Sequence, residues 1–492
     1  MLSCILILTG SSPLSVAKDN PNYRPAEAEL RNDETTIQSK AFSFARHDIH
    51  TETVDWFHFY QVRNNARDLG GAAWPDAVSP FALNTPMIYW NQGGWSFTNT
   101  PLPLYGMYGS DVADIDGDGD LDIVGAEPWY SIYVFWIRND GGNFSIVNPI
   151  MYNGGFPNHI HCSDLDGDGD KDVAWTCELY GFYVSLNNGS GIFTNYNISS
   201  SSYPDLSAES VWPADLDGDG DIDLAGITHA WLGYQAGVWW FEYTGIPGTY
   251  IPHFIQGRPD PHGVWAGDID GDGDNDILIA TNFMNLGDDN SVWMFRNDGY
   301  NTFTPVYIGA IAWGSDVKAA DLDLDGDMDI VASGGGADED FFGTHGELAA
   351  FENLGGTFSK QVLQTNGSYG FWIGDYDLDG CPDISAIDYP GYNSGNSTFV
   401  IYENLIPDAR CMLGAPEEPK PTTFRVIPRK GGLLLSYNFP GYADFFVYDI
   451  AGRDVASGHL TGERFLPLGP GTYVVNAIVG GTSIYQKAAV VK

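Results

Sequence analysis

The chain has 492 residues and a formal net charge of −43, from 65 acidic and 22 basic side chains. So acidic a field repels nucleic acid and anionic surfaces, and no nucleic-acid partner is expected. No stretch reaches the roughly 18 consecutive apolar residues of a spanning helix, so no transmembrane span is expected either.

In chain order, Leu2 to Thr9 (LSCILILT) form a short apolar core, and Ser15-Val16-Ala17 supply the small-residue pattern of a signal-peptidase site. Residues 1–17 are therefore expected to be a signal peptide and the protein to be secreted or held at the cell surface. Residues 18–41 read as an N-terminal linker. Residues 86–97 (PMIYWNQGGWSF) read as two short aromatic strands about a Gly turn, with no acidic loop before them. Residues 42–108 are thus a degenerate version of the repeat that follows.

Within residues 109–410, six copies of a nine-residue acidic loop stand 50 to 54 residues apart. The first reads D-I-D-G-D-G-D-L-D and the sixth D-Y-D-L-D-G-C-P-D. The odd positions of the first copy are Asp114, Asp116, Asp118, Asp120 and Asp122, and those of the second Asp164, Asp166, Asp168, Asp170 and Asp172. The third has Asp215, Asp217, Asp219, Asp221 and Asp223; the fourth Asp268, Asp270, Asp272, Asp274 and Asp276. The fifth has Asp321, Asp323, Asp325, Asp327 and Asp329; the sixth Asp375, Asp377, Asp379, Cys381 and Asp383. Carboxylates this crowded disfavour one another's ionisation unless a cation sits among them, and an all-oxygen donor set selects calcium.

As at the start of an EF-hand loop, positions 1, 3 and 5 offer side-chain oxygens, position 7 a backbone carbonyl, and Gly at position 6 the sharp turn. Position 9 adds a closing carboxylate. Cys381 fits at position 7 because only its carbonyl is needed. Position 10 is apolar in every copy (Ile123, Val173, Leu224, Ile277, Ile330, Ile384) and the flanks read as short strands, so each loop is expected to turn a β-hairpin. About six calcium ions are expected.

Beyond each loop come an apolar strand, a variable connection and an aromatic strand ending in an Asn-Gly-type turn and a Phe. Examples are Trp136 to Phe144 (WIRNDGGNF), Phe295 to Phe303 (FRNDGYNTF) and Phe351 to Phe358 (FENLGGTF). Four strands per repeat at this period are the pattern of propeller blades. With its acidic loops, this part of the chain resembles the FG-GAP/VCBS repeat family, which includes integrin α-subunit propellers and many secreted bacterial proteins. The resemblance implies a β-propeller with one calcium per blade on one face, and cell adhesion among its possible roles. Counting the degenerate copy predicts seven blades; six is the alternative, because the last repeat stops after Tyr402 to Leu405 (YENL) with no evident fourth strand.

A Pro/Glu-rich linker covers residues 411–421, after which the acidic loops cease. Residues 422–492 alternate short strands with Gly turns, as in a small immunoglobulin-like β-sandwich, so the whole chain is expected to be all-β. Phe445 to Arg453 (FFVYDIAGR), Gly471 to Val475 (GTYVV) and Gln486 to Lys492 (QKAAVVK) resemble the type A C-terminal sorting domain of type IX secretion. That resemblance implies the type IX secretion machinery as a partner. Export permits disulfides: Cys162 and Cys177 flank the second acidic loop, where a hairpin brings them together, and Cys381 and Cys411 are placed to pin the end of the propeller. Three connectivities remain open, with buried thiols as the other reading.

Three residues before loops two to six stand His161, Trp212, Trp265, Lys318 and Trp372, and a small residue precedes each loop (Ser163, Ala214, Gly267, Ala320, Gly374). On inner strands, the larger set rings one end of the channel. Connections on the face opposite the loops add His159, Glu178, Glu209, His229, Trp231, His262, Asp316 and His345. Aromatic faces with polar groups at their rims suit a sugar ring, although Trp at this offset equally suits blade packing. His159 and His161, with His229 or His262, are also candidate ligands for a transition metal. The expected function is binding of a glycan or surface component without catalysis. The alternative is an extracellular polysaccharide-acting lyase or hydrolase using the same face; no H-E-x-x-H pattern or nucleophile elbow accompanies the histidines.

Overall fold

Our computed structural model describes residues 42–53, 65–67, 69, 74–79, 86–103, 107, 109–127, 133–147, 150–152, 157–178, 180–199, 207–229, 236–258, 260–282, 290–299, 302–335, 346–388 and 396–406, together with 424–429, 432–437, 443–449, 453–460, 462–468, 471–479 and 482–490. The expected signal peptide, the linkers at 18–41 and 411–421, and Cys411, Trp231 and His345 lie outside the described residues. All described regular elements are strands, so no described helix is long and apolar enough to cross a membrane.

Seven antiparallel sheets of the four-stranded type form seven blades of a β-propeller. Blade 1 runs Asn65–Arg67, Asp76–Ser79, Met87–Asn91 and Phe97–Pro101. Blades 2 to 6 begin at Ser110–Ala113, Pro157–Ser163, Ala208–Ala214, Pro261–Gly267 and Gly314–Ala320. In blade 2 the fourth strand is split in two, Asn143–Ile146 and Met151–Tyr152. Burial falls across each blade: the second strands of blades 3 to 7 are buried throughout, whereas fourth strands such as Phe193–Asn197 face solvent at most positions. The first strand is therefore the inner one.

Blade 7 corrects the expectation of a missing fourth strand. Phe371–Gly374, Asp383–Asp388 and Asn396–Asn404 come from the last repeat, and the outer strand is Phe44–Thr53 from the other end of the chain. Its register runs from Phe44 opposite Asn404 to Thr53 opposite Asn396, with a bulge between Asp48 and His50. Arg46 reaches Asp388 at 2.6 Å and His47 reaches Glu403 at 2.6 Å. Residues 42–53 thus complete blade 7, and blade 1 is built from the strands that follow. This strand exchange covers an edge that would otherwise be open to pairing with other chains.

Every neighbouring pair of blades shares an apolar cluster. One joins blades 1 and 2 through Val78, Ile88, Ile123 and Ile137, and another joins blades 7 and 1 through Tyr89, Tyr376, Phe399 and Ile401. A second tie repeats between blades. The Asn that ends the third strand was read as a turn residue, and its side chain also crosses to the neighbouring blade. Asn187 donates from Nδ2 to the Ile115 carbonyl at 2.7 Å, Asn297 to Leu216 at 2.8 Å and Asn404 to Leu322 at 2.7 Å. Asn91 donates to Tyr376 O at 2.8 Å, linking the first blade to the last.

The tail forms two antiparallel sheets in contact with one another, of three and four strands. Leu433, Leu435, Phe445, Val447, Leu466 and Val475 are buried there.

Candidate functional site

Each acidic loop joins the first and second strands of its blade. Two of its turns need left-handed backbone: position 6 is Gly in all six copies with φ between 91° and 102°, and position 4 is Gly with φ near 75° in four copies. Leu324 and Leu378 take position 4 in the last two loops at φ 55° and 58°, a conformation that costs an L side chain about 1–2 kcal/mol.

Within the loop the backbone aims the carboxylates inward. Asp114 accepts from the amides of Gly117 at 2.8 Å and Gly119 at 3.0 Å, and Asp118 accepts from Asp120 N at 3.0 Å. The same pattern recurs in the next two loops at Asp164 and Asp215. The position-9 residue is fully buried, and each of its oxygens accepts a backbone amide: Asp122 takes Ile115 N at 3.1 Å and Asn139 N at 2.7 Å. It therefore locks the loop to the third strand as well as facing the loop's interior. In the first loop the position-7 side chain points elsewhere, since Asp120 accepts from Gly141 N in the blade's second turn at 2.8 Å. That explains why Cys381 is tolerated there, where it is disulfide-bonded.

The donor set fits a hard cation. Ligand oxygens of positions 1, 3 and 9 lie within 4.8 Å of one another in the first four loops, as do those of Asp321, Asp323 and Asp325 in the fifth. At position 3 of the first loop, Asp116 Oδ1 is buried with no hydrogen-bond partner among the described residues. Burial pushes the Asp122 carboxyl up to about 6, those of Asp172, Asp223, Asp276 and Asp329 to about 7, and Asp383 to about 8. Poorly solvated carboxylates in this arrangement are the groups a cation would stabilise.

Blade 1 carries a seventh, eroded loop that was missed in the sequence. Asp76 is buried and accepts Leu69 N at 3.0 Å and Asn91 N at 2.8 Å, the two bonds made by Asp122. Aligned on them, the loop reads D-L-G-G-A-A-W-P-D from Asp68. Positions 1, 2 and 9 survive, while Gly70, Ala72 and Trp74 replace the carboxylates at 3, 5 and 7, so the blade keeps the lock and lacks the donors.

The residues three before the loops do converge, with Asp111 of blade 2 as an added member. His161 Nδ1 lies 3.7 Å from Asp111 Oδ2, the His161 ring meets Trp212 edge-on at 4.2 Å, and Trp212 lies 6.0 Å from Trp265. Trp212, Trp265 and Trp372 are partly exposed, and Trp212 and Trp265 also pack against interblade clusters. Lys318 departs from the expected ligand role: it is 4% exposed, its Nζ lies 2.5 Å from Asp316, and it covers the Phe371 ring at 4.5 Å. His159 departs too, being fully buried between blades 3 and 4 with its ring nitrogens on Val211 O at 3.1 Å and Ser210 Oγ at 3.0 Å. The residue before the loop has a local reason to be small in blade 5, where a Cβ on Gly267 would come within 2.3 Å of the Trp265 ring.

His229 and His262 gather elsewhere, at the ends of second strands and the starts of first strands, opposite the acidic loops. His262 Nδ1 lies 3.1 Å from Glu209, and His229 Nε2 lies 3.7 Å from Glu178 and 3.9 Å from Glu209. Burial and the neighbouring Glu209 push Glu178 up to about 8, and burial pushes His229 down. Burial opposes the charge of His262 too, but Asp260 and Glu209 hold it up to about 10. The hairpin pairing proposed for Cys162 and Cys177 fails on register, because Cys162 faces Val173 and Cys177 faces Pro157; both remain thiols.

The FG-GAP-like repeat family matches the chain at residues 114–175, 164–226 and 268–332. No curated protein matches. Among solved structures, the chain is similar to BBS1N in complex with ARL6DN, soaked with lead, at 13% identity, covering 72% of this chain and 96% of that one with a TM-score of 0.47. The mercury-soaked form of that complex gives 12% identity, 73% and 97% coverage and a TM-score of 0.46.

Proposed function

We propose that this chain, an FG-GAP-repeat propeller of seven blades, is an exported binding module that calcium stiffens and that takes a glycan at the channel mouth. The observation carrying the ligand reading is the partly exposed Trp212 and Trp265 pair, 6.0 Å apart, with His161 and Asp111 beside it. Flat apolar rings with polar groups at the rim stack on sugar faces and bond their hydroxyls. Calcium is supported by the converging carboxylates of the first five loops and by the oxygen-only donor set that all six share. Secretion, by a leader at residues 1–17 and sorting through the tail by the type IX machinery, rests on the sequence patterns alone.

Binding to a broad polysaccharide panel tests the ligand. Trp212→Ala with Trp265→Ala is expected to weaken glycan binding at least tenfold while the melting temperature moves by only a few degrees. Loss of about 3–5 kcal/mol of stability, the cost of removing a large aromatic from a packed interior, would make the pair blade packing and overturn the reading. Products released from any polysaccharide, abolished by His161→Ala, would favour the lyase or hydrolase alternative instead.

A further inference from the structure

On the face opposite the acidic loops, five titratable side chains from three consecutive blades meet in one buried cluster. Glu178 follows the second strand of blade 3; Glu209 lies in the first strand of blade 4 and His229 follows its second; Asp260 and His262 open blade 5. Their side chains are only 4% to 17% exposed. Three carboxyl groups and two imidazoles therefore meet in a site from which water is largely excluded, with buried polar groups that need partners.

The spacings leave room for an ion between the groups. His229 Nε2 stands 3.7 Å from Glu178 Oε1 and 3.9 Å from Glu209 Oε2, beyond hydrogen-bond length. Around a tetrahedral zinc with bonds of about 2.0–2.2 Å, donors lie about 3.3–3.6 Å apart, so the imidazole and each of these two carboxylates need to draw together by only a few tenths of an ångström. On the far side of the ring, His229 Nδ1 faces Asp260 Oδ1 at 4.0 Å, the place of the carboxylate that orients a metal-bound histidine. His262 braces both carboxylates, lying 3.1 Å from Glu209 and 3.6 Å from Asp260.

Asp260 adds an independent sign of a built site. It is 3% exposed, holds a left-handed φ of 47°, and its Oδ2 is buried without a hydrogen-bond partner among the described residues. Backbone strain of this kind collects at functional positions.

We infer that Glu178, Glu209 and His229 bind one first-row transition-metal ion, zinc by its donor chemistry, with Asp260 and His262 as positioning residues. The imidazole separates this site from the six oxygen-only loops, since nitrogen donors favour zinc-like ions over calcium. Three protein donors leave a coordination position open to water or a ligand oxygen. The inference does not depend on the glycan reading.

The test loads the full-length protein with calcium and zinc together, removes unbound ions by gel filtration, and measures both metals. One zinc per chain is expected. His229→Ala is expected to lower zinc affinity at least 100-fold, and Asp260→Asn about 10- to 100-fold as for other outer-shell partners, with calcium content unchanged in both. Cobalt(II) in place of zinc is expected to give visible absorption bands that His229→Ala abolishes. Should His229→Ala fail to fold, Glu178→Gln and Asp260→Asn decide. No zinc on the wild-type protein, or zinc retained equally by the folded variants, overturns the inference.

Discussion

Excess EDTA is expected to lower the melting temperature of this protein by about ten degrees or more, reversibly on return of calcium. An ion that binds only the folded state at a hundredfold excess over its dissociation constant contributes about 2.7 kcal/mol, and six loops carry the donor pattern. Each loop is locked into its blade through a buried position-9 carboxylate that holds a strand amide, as Asp122 holds Asn139. Emptying the loops leaves crowded, poorly solvated carboxylates inside the hydrogen-bond frame of the blades. The expected response is therefore loss of tertiary order across the propeller, read by near-ultraviolet circular dichroism as well as by melting. Unchanged melting in chelator would mean that the backbone bonds alone hold the loops.

Deleting residues 42–53 is expected to have the second large effect. The strand Phe44–Thr53 pairs with Asn396–Asn404 along its length, and buried Phe42 packs in the cluster between blades 6 and 7. Losing Phe42 alone is worth about 3–5 kcal/mol by the usual cost of a buried aromatic. The deletion also exposes the edge of a strand whose centre is Phe399-Val400-Ile401-Tyr402, an invitation to pair with another chain. The truncated protein is expected to melt many degrees lower and to form soluble aggregates on size-exclusion chromatography. A monomer that melts within about two degrees of the intact chain would show that ring closure rests on the interblade clusters and Asn91 alone.

The acidic loops were legible because their chemistry is dense and local: nine residues name both the turn and the donors. Six blades and their strand order followed from the period, and the seventh from the two aromatic strands about the Gly turn at residues 86–97. Ring closure was not legible, because Phe44–Thr53 (FARHDIHTET) is a polar strand whose partner lies some 350 residues away, and no local periodicity reports such a pairing. The eroded loop of blade 1 was hidden by loss of its acidic run; matching on positions 1, 2 and 9 instead of on acidity would have found Asp68, Leu69 and Asp76. Asn91, Asn187, Asn297 and Asn404 stood in plain view as turn residues, but a donor reaching the next blade is a property of the assembled ring.

The channel residues show the same division. Spacing from the loop brought His161, Trp212 and Trp265 correctly to one place, because every inner strand enters its loop in the same register. It could not foresee that Lys318 would be consumed by Asp316, or His159 by Ser210 and Val211, since those partners come from local sequence that does not repeat. Glu178, Glu209, His229 and His262 were placed by sequence on the face opposite the loops, but Asp260 and the meeting of three blades at one point became visible only in the folded ring.

Calcium stoichiometry decides whether the six loops hold metal. The purified protein, equilibrated with calcium and desalted, is expected to carry about six calcium ions per chain by elemental analysis, and five when Asp215 and Asp217 of the third loop are both changed to Asn. A desalted protein with no bound calcium, or a count that the double substitution leaves unchanged, would contradict the calcium assignment.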